Sequence, residues 1–326
     1  MNALVIVLLG FVALAVLGFA AYKLNIALYK PQNIWDVAVF MMDKDEDIIN
    51  YDYSRPDVVF SPWRLIRREY HYCTGFADPF LFVKDDWLYL FYEKEIYDGY
   101  GVINAKRTKD LEVWEDLGTV LSEPFHLSYP NVFEHNGEVY MLPEMGMTKT
   151  VTLYKAHNFP YEWKAEKVLL DGHKFADSDL FEKEGMWYLF TTIEVPEQPY
   201  GLRLYTSSEF DGEYVEHAMS PLQNCKDLTT WRCGGSIFAF DGKLYRPAQR
   251  SVSYYGENLG LREITALSPD EYEEQFVKYM HKPGNKWDKL GGHHFKSVIF
   301  KDMRIVVMDG LYKDSWINNR IRNLYS

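Results

Sequence analysis

The chain has 326 residues, of which 47% are hydrophobic and 17% aromatic, so it can bury one large core or two ordinary ones and is not a disordered protein. Its 35 Lys and Arg residues stand against 47 Asp and Glu residues, which gives a formal net charge of −12. That balance provides no basic surface for nucleic acid or for an anionic membrane, and nucleic acid is therefore excluded as an expected partner.

The first predicted element is a transmembrane helix. Residues 3–22 contain no charged side chain, and a helix of about twenty apolar residues spans the roughly 30 Å hydrocarbon core of a bilayer. A cleaved signal peptide is the alternative, but the basic segment that should precede the apolar run is missing. Lys23 and Lys30 follow the run, and the positive-inside rule then places the rest of the chain on the cytoplasmic face. The sequence therefore predicts a membrane anchor with a short flank in residues 1–30 and one domain in residues 31–326.

Beyond the anchor, one sequence pattern recurs five times at intervals of 48 to 60 residues. In each of the first four copies, two alternating apolar runs flank a polar turn, which predicts a β-hairpin with Phe at the sixth place and Tyr at the thirteenth. These copies are ADPFLFVKDDWLYLFYE (77–93), SYPNVFEHNGEVYMLPE (128–144), ADSDLFEKEGMWYLFTT (176–192) and CGGSIFAFDGKLYRPAQ (233–249). The looser fifth copy, HHFKSVIFKDMRIVVMD (293–309), has Val298 and Ile305 at those two places.

Two further strand-like runs follow each of the first four hairpins, so the repeats extend over residues 77–116, 128–165, 176–217 and 233–276. Four strands in a repeat of about 50 residues are typical of a β-propeller blade. Too little chain follows Met308 to complete the fifth blade, whose core lies in residues 293–309, and we expect residues 33–43 to supply the strand that closes the ring. The predicted fold is all-β, a five-bladed β-propeller preceded by one transmembrane helix. A β-sandwich is the alternative, but it does not require so regular a period.

The three cysteines, Cys73, Cys225 and Cys233, are odd in number and widely spaced. Their spacing fits neither a disulfide framework nor a zinc site with paired ligands. We interpret them as thiols of the core or of the strands.

Five segments carry a resemblance to a known family: ADPFLF, AKRTKDLEVW, HLSYPNVFEHNGEVYMLPE, LYKAHNFPYEW and ADSDLF followed by WYLF. They resemble the five-bladed propeller found as the N-terminal domain of plant glucosamine inositolphosphorylceramide transferases and as stand-alone bacterial proteins. The resemblance covers most of the chain after about residue 60, and the HLSYP to YMLPE block is its most specific part. In the plant proteins a separate C-terminal domain is understood to transfer the sugar, so the resemblance implies a carbohydrate-related function for the propeller without assuring it an activity.

More distantly, ADP followed by an alternating strand is similar to the five-bladed glycoside hydrolases that act on arabinans, xylans and fructans. That resemblance implies an Asp base on the first blade, an Asp on the second and a Glu acid on the third. Asp78 matches the first position. Tyr129 and Asn131 stand where the second acid would be, and Asp177 and Asp179 open the third blade in place of an obvious Glu. The departures put ordinary hydrolase chemistry in doubt.

Propeller geometry predicts where a site would form. The first strand of each blade lines the central channel, so residues at the start of these strands converge at one mouth, where ligands bind. The second strands return to the same mouth, because antiparallel neighbours run in opposite directions. The first-strand starts are Asp78, Tyr129, Asp177, Gly234 and His294, their neighbours are His126, Asp179, Arg232 and His293, and the aligned hairpin ends are Glu93, Glu144, Gln249 and Asp309.

From this set we predict Asp78, Asp177 and Glu144 as catalytic residues. The predicted substrate-binding residues are His126, Tyr129, Asp179, Arg232, Arg246, Gln249, His293 and His294. Several of these have a structural alternative: Asp78 and Asp177 as backbone caps, and Glu144 as the ion-pair partner of Arg232 or Arg246. His293 and His294 are consecutive in a strand and should alternate sides, so only one is expected to face the channel.

Two carboxylates in one cavity repel each other, so we expect Asp78 or Asp177 to be protonated, paired with Arg232 or bridged by a divalent cation such as Ca²⁺. Asp78, Asp177 and His294 are the candidate residues for such a cation.

Two classes of function follow. The first is a membrane-anchored, carbohydrate-active enzyme of surface-glycan or glycolipid synthesis, which transfers or hydrolyses a glycosyl unit at the channel mouth. The second is a non-catalytic glycan-binding or scaffold subunit that presents a sugar, glycan or glycolipid to a separate glycosyltransferase. Enzyme chemistry requires two acids that flank one bond, about 5 to 5.5 Å apart for retention of configuration or about 6.5 to 9.5 Å apart for inversion.

Overall fold

The computed structural model describes residues 3–29, 32–62, 73–96, 100–195, 198–222, 232–281, 285 and 287–314. The chain begins with helix α1 (Ala3–Tyr29). In the described part of the chain, no helix combines the length and the apolar character needed to cross a membrane, and the predicted membrane anchor is not supported. The predicted cytoplasmic orientation stays a prediction. Of the three predicted core thiols, Cys233 is buried, whereas Cys225 and the side chain of Cys73 lie outside the described residues.

Twenty strands follow α1 in the described residues. The first ten are β1 (Gln32–Asp43), β2 (Val58–Phe60), β3 (Cys73–Lys84), β4 (Trp87–Ile96), β5 (Tyr100–Thr108), β6 (Glu115–Leu121), β7 (Ser128–His135), β8 (Glu138–Glu144), β9 (Thr150–Asn158) and β10 (Glu162–Asp171). The others are β11 (Phe175–Lys183), β12 (Met186–Val195), β13 (Gln198–Ser207), β14 (Val215–Glu216), β15 (Phe238–Phe240), β16 (Lys243–Arg250), β17 (Asn258–Leu267), β18 (Tyr272–Tyr279), β19 (Phe295–Phe300) and β20 (Met303–Asp314). The protein is therefore all-β apart from α1 and one short 3₁₀ turn in this part of the chain.

The strands fall into five antiparallel groups of four. Strands β7–β10, β11–β14 and β15–β18 form three separate sheets, and the remaining eight strands form a fourth sheet. That larger sheet consists of two groups, β3–β6 and β19–β20–β1–β2, which are joined only where Trp35 and Gly75 pair in parallel. We number the groups by chain order, the first being β3–β6 and the fifth β19–β20–β1–β2. Residues 33–43 thus lie in the fifth group, where β1 pairs with β20 along its whole length, from Gln32 opposite Asp314 to Asp43 opposite Met303.

The repeated Phe and Tyr residues are cross-strand partners. Their backbones lie opposite each other in every one of the first four hairpins, and Val298 and Ile305 do the same in the fifth. Each of the first four hairpins closes with a two-residue turn in which both residues have positive φ, the geometry that matches the twist of paired strands. These turn pairs are Asp85 and Asp86, Asn136 and Gly137, Glu184 and Gly185, and Asp241 and Gly242. The spacing of the repeat is therefore set by hairpin register.

In the described residues the core consists of five apolar clusters, and four of them combine residues of two consecutive groups. The other cluster joins the third and fourth groups and also contains Phe80 of the first and Tyr129 of the second. For example, one cluster contains Phe91 of the first group and Met141 of the second, and another contains Leu259 of the fourth group and Phe40 of the fifth. The fifth and first groups also share a cluster, to which Val39 contributes with members of β3 and β4. The series of contacts consequently returns to its starting point.

Hydrogen bonds near the start of the first strands close the same cycle. They link each group to the next and the fifth group to the first: Tyr129 N to Asp78 Oδ2 (3.2 Å), Asn131 Nδ2 to Asp179 Oδ1 (2.8 Å), Ile237 N to Asp179 Oδ2 (2.7 Å), Phe295 N to Gly234 O (2.7 Å) and Asp78 N to Asp309 Oδ2 (3.3 Å). The segments on which the predicted site depends therefore meet at the centre of the molecule.

Replacing Gly235 by Ala should destabilise the protein more than replacing Gly242 by Ala. Both glycines have positive φ, +131° and +72°, but a Cβ at Gly235 would overlap the carbonyl oxygen of Phe295, whereas a Cβ at Gly242 meets nothing within 4 Å. We expect Gly242→Ala to cost about 1–2 kcal/mol for its left-handed backbone and Gly235→Ala to cost more than about 4 kcal/mol. Urea unfolding measures both, and equal losses would contradict the close central packing.

Candidate functional site

Three first strands contain the same backbone irregularity at the predicted site. Asp78, Tyr129 and Asp177 have φ values of 50°, 47° and 48°. Each lies where the hairpin register shifts, between residues 77 and 80, 128 and 131, and 176 and 179. Such bulges redirect a side chain and are frequent next to active sites. A left-handed Tyr is uncommon and is maintained only where its surroundings enforce it.

The carboxyl group of Asp78 is buried, and one of its oxygens has no hydrogen-bond partner among the described residues. Oδ2 accepts a hydrogen bond from the backbone N–H of Tyr129. The other oxygen, Oδ1, lies 3.8 Å from His293 Nε2 and 3.7 Å from His294 Nδ1. Burial raises the pKa of Asp78 to about 7, although the positive charge of His293 opposes this rise. Asp78 can therefore donate or accept a proton near neutral pH.

Asp177 is the second buried acid and is paired with Arg232. Arg232 Nε lies 2.5 Å from Asp177 Oδ2, and Arg232 Nη2 donates to Glu144 Oε2 at 3.0 Å. Gln249 Nε2 donates to the same oxygen of Asp177 at 2.7 Å, and the backbone N–H of Asp177 donates to Glu144 at 3.2 Å. Burial raises the pKa of Asp177 to about 7 despite the guanidinium. Of the three outcomes expected for the two acids, pairing with Arg232 is the one found at Asp177.

His293 and Asp309 form a buried ion pair beside Asp78. His293 Nδ1 lies 2.5 Å from Asp309 Oδ2, and Asp309 Oδ1 accepts the backbone N–H groups of His293 (2.7 Å) and His294 (3.0 Å). Burial opposes charge on both partners, but their mutual attraction raises the pKa of His293 and holds the pKa of Asp309 below its usual range. His293 therefore carries a positive charge and Asp309 a negative one.

The expectation that only one of His293 and His294 faces the centre is wrong. Both rings lie within 4 Å of Asp78 Oδ1. Strand β19 begins only at Phe295, so the alternation of a regular strand does not apply to the two histidines. Burial lowers the pKa of His294 to about 3, which leaves this ring neutral. It packs edge to face against Phe80 and Tyr129, at centroid distances of 4.5 and 5.3 Å.

His126 and Glu93 form a more accessible edge of the site. The His126 side chain is 30% exposed, its Nε2 lies 3.7 Å from Glu93 Oε1 and its Nδ1 accepts the backbone N–H of Gly101 at 2.9 Å. Burial raises the pKa of Glu93 well above its usual range, and the charge of Asp78 adds to the rise. The hairpin ends Glu93, Glu144, Gln249 and Asp309 all have a partner or a neighbour in this site, which agrees with the predicted return of the second strands.

Three predicted substrate-binding residues make internal contacts, and their role in binding stays a prediction. Arg246 is fully buried and forms a two-bond ion pair with Glu274 (2.9 and 2.8 Å) within β16–β18. Of the two arginines named as alternative partners of Glu144, Arg232 is the one that binds it. Asp179 uses its two oxygens to join neighbouring groups. Tyr129 accepts the backbone N–H of Gly235 at its hydroxyl, 2.9 Å away. The repeat spacing placed these residues near the site, and their side chains bind neighbouring segments of the protein.

The predicted divalent cation stays a prediction. Asp78, His293 and Asp309 each bring one potential ligand atom, and these atoms lie within 4.8 Å of one another. Ca²⁺ takes six to eight oxygen ligands, however, and in this arrangement His293 already neutralises Asp309 while Arg232 neutralises Asp177. The carboxylates of Asp309 and Asp177 are therefore already bound by N–H donors, and this arrangement suits such donors better than Ca²⁺.

Comparison with known proteins gives matches over most of this chain. The family model described as glucosamine inositolphosphorylceramide transferase 1, N-terminal, matches residues 67–311. Glucosamine inositolphosphorylceramide transferase 1 of Oryza sativa subsp. japonica is 37% identical over 244 residues, which are 72% of this chain and 33% of that protein. The Arabidopsis thaliana protein of the same name is 38% identical over 228 residues, 67% of this chain and 30% of that protein. The chain thus spans about a third of the length of these curated relatives.

Among solved structures, the RS223 β-xylosidase superposes with a TM-score of 0.51 at 13% sequence identity, over 72% of this chain and 91% of that one. At this identity the likeness concerns the fold alone, which is that of a glycoside-hydrolase β-propeller. The predicted resemblance to glucosamine inositolphosphorylceramide transferases is confirmed. The predicted resemblance of the fold to propeller glycoside hydrolases is confirmed as well.

Proposed function

Because this chain belongs to the family of the N-terminal region of glucosamine inositolphosphorylceramide transferase 1, we propose that it is a carbohydrate-active protein of glycolipid synthesis. Its site around Asp78 and Asp177 would bind the sugar part of a glycolipid and move a proton during glycosyl transfer or hydrolysis. The observation that carries this proposal is the pair of buried carboxyl groups, Asp78 beside the rings of His293 and His294 and Asp177 bound to Arg232. Burial raises the pKa of both carboxyl groups to about 7. Carboxyl groups with raised pKa values are the usual acids and bases of glycosyl chemistry.

We also infer that the five groups of strands are five blades around one axis. Support comes from the five shared clusters and from the hydrogen bonds that link each group to the next in a closed cycle. In that arrangement Asp78, Asp177 and His293 face one channel mouth, as ligand sites in closed repeats commonly do.

Asp78 is the better candidate for the proton-transferring group, because Oδ1 has no hydrogen-bond partner among the described residues. In its protonated form it would give that proton to the leaving-group oxygen as the glycosidic bond breaks, and the resulting carboxylate would later take a proton from the incoming hydroxyl group. Asp177, fixed by Arg232 and Gln249 through Oδ2, would accept a hydrogen bond from a sugar hydroxyl group at its other oxygen.

The hydrogen-bonding groups of the site favour a sugar over a phosphate. Five carboxyl groups, Asp78, Glu93, Glu144, Asp177 and Asp309, lie beside two cationic groups, Arg232 and His293, which already contact three of them. A phosphodiester only accepts hydrogen bonds and would find few donors here, whereas carboxyl oxygens accept hydrogen bonds from hydroxyl groups or from the ammonium of an amino sugar. The name of the plant relatives contains both a glucosamine and an inositol phosphate, and the site of this chain suits the first.

The second candidate function is a glycan-binding or scaffold subunit that works with a separate glycosyltransferase. The contacts of Arg232 favour it. This guanidinium already binds Asp177 and Glu144, two of the three predicted catalytic acids, and an acid in an ion pair is less suited to transfer a proton. The relatives are also about three times longer than the matched region.

Turnover and binding of a detergent-solubilised glucosamine inositolphosphorylceramide separate these functions. Asp78→Asn should reduce turnover by about 10² to 10⁴-fold, the usual contribution of a general acid, and should change affinity much less. Glu134→Gln is the control, because it removes an exposed carboxylate that pairs only with Lys84 in the described contacts. Binding without turnover by the native protein would select the scaffold function, and unchanged binding and turnover in Asp78→Asn would reject this site.

A further inference from the structure

Tyr255 lies at the edge of the buried acids and remains half exposed. It belongs to the loop of residues 251–257 that connects β16 to β17, directly after the strand that supplies Gln249. Its exposed fraction is 47%, whereas Asp78, Asp177 and His293 are 3%, 1% and 1% exposed. The guanidinium of Arg232 lies 5.7 Å from the centre of the Tyr255 ring. The residue therefore connects the buried cluster with solvent.

The buried ion pair holds the Tyr255 side chain in place. The hydroxyl of Tyr255 and Nε2 of His293 are 2.9 Å apart, and Nδ1 of the same imidazole faces Asp309. Trp35 supports both rings: it stacks on His293 at 4.4 Å and meets Tyr255 edge to face at 5.9 Å. Burying an ion pair costs desolvation energy that the attraction between its charges often fails to recover. Because the His293–Asp309 pair nevertheless contacts the exposed ring of Tyr255, we interpret the pair as a device that positions this ring.

The backbone of the loop is fixed as well. Gly256 has a φ of +74°, and a Cβ there would overlap the Trp35 ring. The carboxylate of Glu257 accepts the backbone N–H groups of Val252 and Ser253 at 3.1 and 3.0 Å and pairs with Arg250 at 2.5 Å. A ring that is immobilised before a ligand arrives loses little conformational entropy on binding.

We propose that Tyr255 is a sugar-binding residue whose ring forms one wall of the ligand site, and that His293 and Asp309 are its positioning residues. The inference rests on the proposed function, since it takes a sugar to be the ligand. One face of a pyranose ring is lined by C–H groups and packs on an aromatic ring, while its hydroxyl groups reach polar neighbours. A sugar on Tyr255 would have Arg232, and beyond it Asp177 and Glu144, beside its polar edge.

Isothermal titration with the solubilised glucosamine inositolphosphorylceramide tests this assignment. Tyr255→Ala should weaken binding about tenfold or more, because it removes the stacking surface, and Tyr255→Phe, which keeps the ring, should weaken it much less. The matched control is Tyr254→Ala: Tyr254 lies in the same loop, is 44% exposed and donates its hydroxyl to Leu290 O at 2.6 Å. It should bind like the native protein. Equal affinities of the Tyr255→Ala and native proteins, or an equal loss in Tyr254→Ala, would overturn the assignment.

The positioning role has a separate measurement. Gly256→Ala should displace the loop from Trp35 and weaken binding, and this effect should disappear when Tyr255 is already Ala. Additive losses in the double variant would contradict positioning through Tyr255. If the native protein binds no glycolipid, the proposed function itself fails. If Asp78→Asn alters turnover while Tyr255→Ala leaves affinity unchanged, only the role of Tyr255 fails.

Discussion

Deletion of residues 1–43 is expected to abolish folding of the whole domain, whereas deletion of residues 1–29 is expected to leave a folded protein. Residues 33–43 form most of β1, which pairs with β20 along its full length. Ile34, Val37, Val39 and Phe40 of this strand are completely buried. Burying four such side chains contributes about 6–12 kcal/mol, which is as large as the whole net stability of an ordinary domain, about 5–15 kcal/mol.

Far-UV circular dichroism and size-exclusion chromatography of the two truncated proteins measure this effect. The shorter deletion, which ends at the last residue of α1, is the control for the loss of chain length. The longer deletion also exposes one edge of β20 and invites aggregation. Cooperative melting of the longer deletion at the temperature of the control would contradict a ring that depends on β1.

The second large effect is expected from Asp78→Asn, which should stabilise the folded protein at pH 8 while it reduces turnover. The pKa of Asp78 is about 7 in the folded protein, whereas the ordinary value of 3.8 applies to the unfolded chain. Because the folded pKa is the higher one, this group's stabilising contribution is fully present below about pH 4 and is lost as the pH rises through 7. An Asn resembles the protonated acid at every pH. The unfolding free energy of the variant should therefore rise relative to that of the native protein by on the order of 2–3 kcal/mol between pH 5 and pH 8.

Chemical denaturation at pH 5, 6, 7 and 8 measures the difference in unfolding free energy between variant and native protein, in which the titrating groups that do not interact with Asp78 cancel. This comparison is necessary because the lowered pKa of His294 acts in the opposite direction between pH 5 and 7. Asp116→Asn is the control: Asp116 pairs with Lys106 at 2.9 Å and its pKa is lowered. Its effect on stability should stay constant over this range. A pH-independent difference for Asp78→Asn would show that Asp78 ionises normally.

The repeat was sufficient to predict the strands because its signals are local. A Phe at the sixth place and a Tyr at the thirteenth face each other only if a two-residue turn lies midway between them, and the structure has that turn. The strand at residues 33–43 could also be predicted, since its composition suits a strand and the last repeat lacks outer strands. The hairpin ends Glu144 and Gln249 reached the site for the same reason: register fixes where a second strand returns.

The details of the site could not be predicted, because they depend on tertiary contacts. Neither Asp78 nor Tyr129 is preceded by a glycine or a turn signal that would mark a bulge, yet both have left-handed backbones. Asp179 and Arg246 are polar residues at the right positions in the repeat, but their partners, Ile237 and Glu274, come from distant segments. Tyr255 lies in the connection between β16 and β17, outside the aligned hairpin segments, so the alignment of copies could not identify it.

The central claim is that the centre formed by Asp78, Asp177 and His293 is a sugar site. The most direct test is a crystal structure of the protein soaked with glucosamine inositolphosphorylceramide or with its sugar headgroup. The account predicts a sugar oxygen within hydrogen-bond distance of Asp78 Oδ1, with the sugar ring packed on Tyr255 and the phosphate directed away from the carboxyl groups. A sugar ordered at another surface, with the Asp78 carboxyl group still enclosed as it is here, would contradict it.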